Sequence, residues 1–322
     1  MEKKIYINAY LLSFRRSDNN MLNKGRWMEG INPAVITPFT KERELDEDGL
    51  IINLKFLIES GVHGLVVNGC TGEASSLSPE ERKRVIRIAV TEAKGHNIPV
   101  IAGTGSTNTK DVVKLTKDAK ESGADAALIV TPFFTIPNEE GLMKHYKTVD
   151  EQIGLPIILY NIPQLTNVNL TPTIIVKLCE EVSSIVGVKD SYGNISQFSE
   201  TVRLLGDKIS VLTGGDDILL PAFSLGASGA IIALGNIAPK MTVDLFNFMQ
   251  KGDLNKAREL YFKLLPIARA IGAENNFPAQ VKEAVALLGR PAGPCRSPIM
   301  PLEELERKEI AQALKHAELL AS

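Results

Sequence analysis

The sequence predicts an α/β protein, a (β/α)8 barrel carrying a C-terminal helical extension. Three observations lead there. Short apolar runs recur about every 30 residues, the spacing of strand-then-helix units in such barrels. Most of these runs are continuous instead of alternating, as parallel strands covered on both faces require. The stretches between them carry helix periodicity and helix start signals. A doubly wound sheet also alternates strands with helices, but it does not need eight regularly spaced strands.

The eight expected strands are Pro33–Thr37, Gly64–Asn68, Ile98–Gly103, Ala126–Thr131, Pro156–Asn161, Ile185–Asp190, Ile209–Thr213 and Gly229–Leu234. Between the second and third, Ser78-Pro79-Glu80-Glu81 reads as a helix start. Serine is the N-cap, proline occupies the first turn, and Glu81 stands at the capping-box position. Thr107 to Ser122 and Asn138 to Gln152 read as helices of the same kind. After the eighth strand come helical stretches near Pro239–Lys251, Leu254–Gly272, Pro278–Leu288 and Leu302–Leu320. They exceed what one closing helix requires. The expected organisation is therefore an arm over residues 1–29, a barrel over 30–250 and a helical extension over 251–322. The apolar stretch Ile5 to Phe14 superficially resembles a signal peptide. Asn8 interrupts it, Arg15 and Arg16 follow it, and no small-residue cleavage site appears. Met28, just ahead of the first strand, is a plausible alternative start.

Composition narrows the class of function. The 322 residues are 44% hydrophobic with a formal net charge of −2. That balance supports a large core and supplies no electrostatic footprint for nucleic acid or an anionic membrane. No apolar run reaches the roughly 20 residues of a membrane span. Cys70, Cys179 and Cys295 stand far apart, so a disulfide framework is not expected and a reducing, cytoplasmic setting is favoured. His63, His96, His145 and His316 are scattered singly, which makes a metal site a poor expectation; no metal or cofactor is expected.

In a (β/α)8 barrel, catalytic groups come from the carboxyl ends of several strands. The unusual residues of this chain fall there. The second strand runs into Gly69-Cys70-Thr71-Gly72-Glu73, the fourth into Thr131-Pro132-Phe133-Phe134 and the fifth into Tyr160-Asn161-Ile162-Pro163. The sixth ends at Lys189 and the seventh leads to Gly214-Gly215-Asp216-Asp217. A lysine at the tip of a buried strand is costly unless something exploits it, and a deprotonated lysine amine condenses with ketones to form a Schiff base. Tyr160, one strand away, is placed to carry protons, and the N–H groups and hydroxyl of Gly69–Glu73 suit a carboxylate. Taken singly, each feature also has an ordinary structural use. Lys189 could pair with Asp190, and Tyr160 could be packing. A thiol nucleophile at Cys70 lacks a histidine base, because His63 should lie at the opposite face of the barrel.

From about Gly30 onward the chain resembles the dihydrodipicolinate synthase / N-acetylneuraminate lyase family of class I, Schiff-base aldolases. Gly69–Glu73, Ile101–Gly105, Val130–Phe133, Leu159–Pro163, Gly187–Ser191 and Gly214–Asp217 carry the resemblance together and in order. It implies that Lys189 forms the imine with pyruvate and that Tyr160 transfers protons. It also implies that Thr71 and Cys70 bind the pyruvate carboxylate and that the main chain at Ile231 lies against the pyruvate. The implied partners are pyruvate and an aldehyde, and the implied assembly is a homotetramer.

Three departures bear on the substrate. Cys70 replaces a hydroxyl residue that relays protons in the synthases of this family, and a thiol is a weaker hydrogen-bonding group. Phe134 replaces a tyrosine that reaches across a subunit contact. Leu165 stands where the synthases carry an arginine that grips the aldehyde's carboxylate, as in the neuraminate lyases; Ala233, however, replaces a lyase serine. Asp216 and Asp217 are placed to accept hydrogen bonds from hydroxyls and to repel a second carboxylate. The expected reaction is therefore cleavage or formation of a 2-keto-3-deoxy sugar acid, with dihydrodipicolinate synthase as the alternative. A metal-dependent aldolase and a non-catalytic binding barrel are the competing classes.

Overall fold

The computed structural model describes residues 27–272 and 276–321. Eight parallel strands form the barrel: β1 (Gly30–Pro33), β2 (Leu65–Val67), β3 (Val100–Gly103), β4 (Ala126–Val130), β5 (Ile157–Asn161), β6 (Ile185–Asp190), β7 (Ser210–Thr213) and β8 (Gly229–Ile232). Each pairs with its sequence neighbour, β1 pairs with β8, and a bridge between Ala34 and Val66 closes the ring. This is the (β/α)8 architecture with a C-terminal helical region. Of the arm expected over 1–29, residues 1–26 lie outside the described residues. Met28 is buried at the base of the barrel, its N–H donating to Ser210 Oγ at 2.8 Å.

The strand walls divide two apolar clusters. Ala34, Val66, Ile101, Leu128, Ile158, Tyr160, Val186, Leu212 and Ile231 fill the barrel interior with Met28. A larger cluster lies between the wall and the helices, and the C-terminal residues Leu264, Ile267, Val281, Val285 and Leu314 belong to it. The helical extension is thus continuous with the mantle of the barrel. Among the described residues no helix is long and apolar enough to cross a membrane.

The expected helix start at Ser78 is present. Ser78 Oγ accepts from Glu81 N–H and the Glu81 carboxylate accepts from Ser78 N–H, capping the helix Pro79–Ala93. Asn108 and Asn138 cap the helices Thr109–Glu121 and Glu139–Ile153 with their side chains. The expected extension helices form as Pro239–Gln250, Leu254–Ile271, Phe277–Leu287 and Glu304–His316.

The first strand differs from expectation, occupying Gly30–Pro33 in place of Pro33–Thr37. The apolar run Ala34-Val35-Ile36 is buried but leaves the ladder early. Asn236 takes over the pairing: its Oδ1 accepts from Ile36 N–H at 3.1 Å and its Nδ2 donates to Ala34 O at 2.8 Å. A side chain that satisfies the backbone of a run makes strand and loop look alike in sequence. The last strand likewise stops at Ile232, before the expected Leu234, because Leu234 N–H is bound by Asp216 Oδ1.

Strand β6 contains one extra residue relative to β5. Ile157 pairs with Ile185, but Ile158 pairs with Gly187, so Val186 is bulged. Val186 points into the barrel and Val188 into the mantle, which turns Lys189 inward. Simple alternation from Val186 would have placed Lys189 outside. Gly187 permits this crowding, since a Cβ there would meet Ser210 O at 2.9 Å.

Glu81 also forms a two-pronged ion pair with Arg296, at 2.8 and 2.6 Å, tying the first βα units to the C-terminal region. Arg296 holds the Glu81 carboxyl down from 4.5 to about 2, against the opposing effect of burial. A folded-state value below the unfolded one stabilises the fold fully above about pH 4.5, and that contribution is lost as pH falls toward 2. Denaturant midpoints measured from pH 5 to pH 2 should therefore fall less steeply in Glu81→Gln than in the unmodified protein. Equal slopes would show that the pair contributes nothing to acid stability.

Candidate active site

Lys189 and Tyr160 occupy directly paired positions on β6 and β5. Both are buried, and Lys189 Nζ lies 4.1 Å from the centre of the Tyr160 ring. Lys189 makes no ion pair with Asp190. The bulge puts Asp190 on the other face of the wall, where its Oδ1 accepts from Tyr192 N–H and Asn161 Nδ2. Burial pushes the Asp190 carboxyl up, and these hydrogen bonds work against it. The amine of Lys189 is left facing the barrel interior, with Tyr160 beside it and Gly214 over its side chain. A Cβ on Gly214 would meet Lys189 Cε at 2.6 Å.

Above these residues opens a cleft of about 470 Å³ at the carboxyl ends of β2 to β5. Tyr160, Cys70, Leu165, Val130, Phe133 and Arg82 are among its walls. Leu165, 63% exposed, stands at the mouth. The Cys70 side chain reaches solvent, yet enough protein surrounds its thiol to push the pKa up, an effect the Lys189 charge opposes. Thr71 is buried behind it in the same turn, and Ile231 belongs to the interior cluster that also holds Tyr160.

The Gly69–Glu73 turn is fixed from several sides. Thr37 Oγ1 donates to Gly72 O at 2.7 Å, and Ala74 N–H donates to Gly69 O at 3.2 Å. Arg82 donates twice to Ala74 O, from Nε at 3.0 Å and Nη2 at 2.6 Å. Glu73, held in a left-handed conformation at φ 52°, turns its carboxylate away from the cleft to Lys282 Nζ at 2.5 Å.

The two aspartates after β7 do not face the cleft as expected. Asp216 Oδ1 accepts from Leu234 N–H at 2.7 Å, fastening the β7 turn to the end of β8. Burial raises its carboxyl to about 6, with the hydrogen bond from Leu234 and the charge of Lys189 opposing the rise. Asp217 is exposed, and its carbonyl accepts from Tyr261 on the helix Leu254–Ile271. Neither carboxylate is on the cleft wall. The sequence reading also passed over Arg82 and Lys282. Arg82 sits in an amphipathic helix, where an arginine is ordinarily read as part of the solvated face, and Lys282 in a helix that is buried nearly all round. His63 lies at the opposite end of the barrel as expected, accepting from Ile31 N–H through Nδ1. Among the described residues no group of three His, Cys, Asp or Glu side chains is placed to hold a metal ion.

Comparison with known proteins places the chain among relatives. Residues 27–317 match the model of the dihydrodipicolinate synthetase family. The 4-hydroxy-tetrahydrodipicolinate synthase of Methanocaldococcus jannaschii is 44% identical over 292 residues, 91% of this chain and 99% of its own. That of Methanothrix thermoacetophila is 42% identical over 286 residues, 88% of this chain and 95% of its own. Among solved structures, the chloride-inhibited dihydrodipicolinate synthase of Acinetobacter baumannii with pyruvate superposes with a TM-score of 0.87 at 37% identity. The alignment covers 91% of this chain and 100% of that one. A prophage protein of Escherichia coli, in the same family and also complexed with pyruvate, gives 0.87 at 33% identity over 91% and 99% of the chains.

The Tyr160 ring stands beside the Lys189 amine, on the paired strand. Tyr160→Phe should leave the fold intact and lower turnover by about 10²–10⁴-fold, the range for a positioned acid–base group. Steady-state kinetics on a variant with unchanged circular dichroism checks this, and near-normal turnover would make Tyr160 a packing residue.

Proposed function

The chain belongs to the dihydrodipicolinate synthetase family, and within it we propose that this protein condenses pyruvate with aspartate semialdehyde, the 4-hydroxy-tetrahydrodipicolinate synthase reaction. Family membership makes it a class I pyruvate aldolase, a carbon–carbon lyase. In the proposed cycle, Lys189 Nζ attacks the keto carbon of pyruvate, and loss of water leaves an imine. Tyr160 shuttles the protons of these steps. Loss of a methyl proton gives an enamine, whose terminal carbon adds to the aldehyde carbon of the second substrate as the aldehyde oxygen takes up a proton. Attack of the product's own amine on the imine carbon then closes the ring and releases the Lys189 amine. The turn at Cys70 and Thr71 receives the pyruvate carboxylate, and the buried main chain at Ile231 backs the bound pyruvate.

One observation carries the choice of aldehyde. Arg82 lines the cleft, burial lowers its pKa, and no carboxylate faces it among the described residues. No acidic residue lines the cleft either. Such a wall favours an aldehyde bearing a carboxylate. The relatives at 42–44% identity carry the synthase name, which supports the same choice. The expectation of a 2-keto-3-deoxy sugar acid becomes the second reading. It rests mainly on Leu165 and less on Asp216 and Asp217, whose side chains are not on the cleft wall. What still favours it is Leu165, which offers no donor at the cleft mouth.

We also propose a cytoplasmic homotetramer. The family resemblance implies the tetramer, and the three isolated cysteines fit a reducing compartment. Phe134 is 93% exposed at φ 72°. An apolar ring held out to solvent by an unfavourable backbone conformation fits coverage by a second subunit.

Two measurements test the chemistry. Borohydride reduction in the presence of pyruvate should add one three-carbon unit to the peptide containing Lys189; an adduct on another lysine, or none in active enzyme, would remove the imine assignment. The kcat/KM for condensing aspartate semialdehyde with pyruvate should exceed that for cleaving 2-keto-3-deoxygluconate. The reverse order would establish the sugar-acid reading.

A further inference from the structure

We propose that Lys282 and Glu73 form a positioning pair through which the C-terminal helical region sets the pyruvate-carboxylate turn. The inference rests on the reading that the Cys70–Thr71 turn receives that carboxylate. Lys282 lies on the helix Phe277–Leu287, outside the barrel, and its side chain is 3% exposed; that of its partner Glu73 is 1% exposed. Two ions withdrawn from water to this degree are held only where their geometry is well supplied with further partners. Here those partners all come from the rim of the site and from the C-terminal chain. Glu73 Oε2 accepts from Arg296 N–H at 2.9 Å, and Lys282 Nζ donates to Pro294 O at 3.2 Å.

The same two cations enclose one ring. Lys282 Nζ lies 4.1 Å and the Arg296 guanidinium carbon 4.3 Å from the centre of Phe39, which follows β1. The backbone closes in behind it: Phe39 N–H donates to Ala292 O, and a Cβ on Gly293 would lie 1.7 Å from Phe39 O. Arg296 Nη1 also donates to Ser76 O, just beyond the turn. Residues 282–296 are thus keyed into the loops after β1 and β2, and Glu73 is the point where that contact reaches the turn. Cys70 and Thr71 lie three and two residues upstream of Glu73, whose N–H donates to Cys70 O at 3.0 Å. A shift at Glu73 moves the pyruvate-binding groups and leaves Lys189, on the far strand β6, where it is.

The separation of these two effects is what the experiment reads. The pyruvate concentration that half-saturates borohydride trapping at Lys189 is measured without any aldehyde, so it does not depend on which aldehyde is the substrate. Lys282→Met strands the buried Glu73 carboxylate and risks misfolding; the double variant Glu73→Gln/Lys282→Met removes both charges together. In the folded double variant, half-saturation should require about 10-fold more pyruvate or more, the scale on which small displacements of binding groups act. Trapping at saturating pyruvate should still label Lys189 fully. Leu264→Ala, in the mantle core away from the turn, controls for loss of stability alone and should melt lower with half-saturation unchanged. A double variant that traps pyruvate as the unmodified protein does would overturn the positioning role while leaving the aldolase reading intact. Failure of the unmodified protein to trap pyruvate at Lys189 would overturn both.

Discussion

A barrel wall has two faces, and the single extra residue in β6 decides on which of them the Lys189 amine lies. Strand geometry offers no intermediate choice: successive side chains point to opposite sides, and a slip of one position exchanges them all. With Val186 bulged, β6 keeps its first residues in phase with the apolar interior and still delivers Lys189 to it. Asp190 is sent outward by the same step, so the adjacent carboxylate cannot neutralise the amine. Tyr160 reaches Lys189 because the pairing beyond the bulge brings the two into register. The bulge, Gly187 and the Tyr160–Lys189 contact are therefore one arrangement.

The second constraint is electrostatic. Around the carboxyl ends of the strands the fold encloses Glu73, Lys282, the Asp216 carboxyl and most of Arg82. Glu73 and Lys282 neutralise each other. Burial pulls Lys282 below its usual pKa, with Glu73 working against the shift. Asp216 spends its carboxylate on a backbone N–H of the β8 turn. Cys295, beside the Glu73–Lys282 pair, keeps its proton, burial pushing its thiol up to about 12. Arg82 alone of this group has only carbonyl acceptors, and it borders the cleft. The buried pairs fix the rim in place, and Arg82, its guanidinium bonded to Ala74 O, backs the cleft wall. Pairs of this kind are better understood as fixing one arrangement than as adding net stability.

Much of the fold was legible in the sequence because it follows from periodicity. The eight apolar runs, the Ser78 capping box and the four extension helices all appear near their expected positions. The exceptions share a cause: at Ala34–Ile36 and at Leu234, a side chain distant in sequence satisfies backbone that would otherwise extend a strand. In the site, Lys189 and Tyr160 were legible because a lysine and a tyrosine at buried strand ends are chemically conspicuous. Glu73–Lys282 was not. A glutamate in a turn and a lysine in a helix each look like surface residues until the chain brings them together, 209 positions apart (282 minus 73). The aspartates after β7 are the opposite case. Their charge was visible in the sequence, but the direction of their side chains was not.

That difference changes the argument about substrate. Read from the chain, Leu165 in place of an arginine and two nearby aspartates describe a pocket hostile to a carboxylate. In three dimensions, one aspartate faces a backbone amide, the other faces solvent, and an arginine from another helix borders the same cleft. The sign of the local charge is reversed without any change in the inventory of residues. Recognition of an anion needs a cation near the right point in space, supplied from whichever element reaches it. An arginine missing from one loop is therefore weak evidence about substrate charge. The charged groups of the cleft wall are stronger evidence, and among the residues that line this cleft the charged one is Arg82.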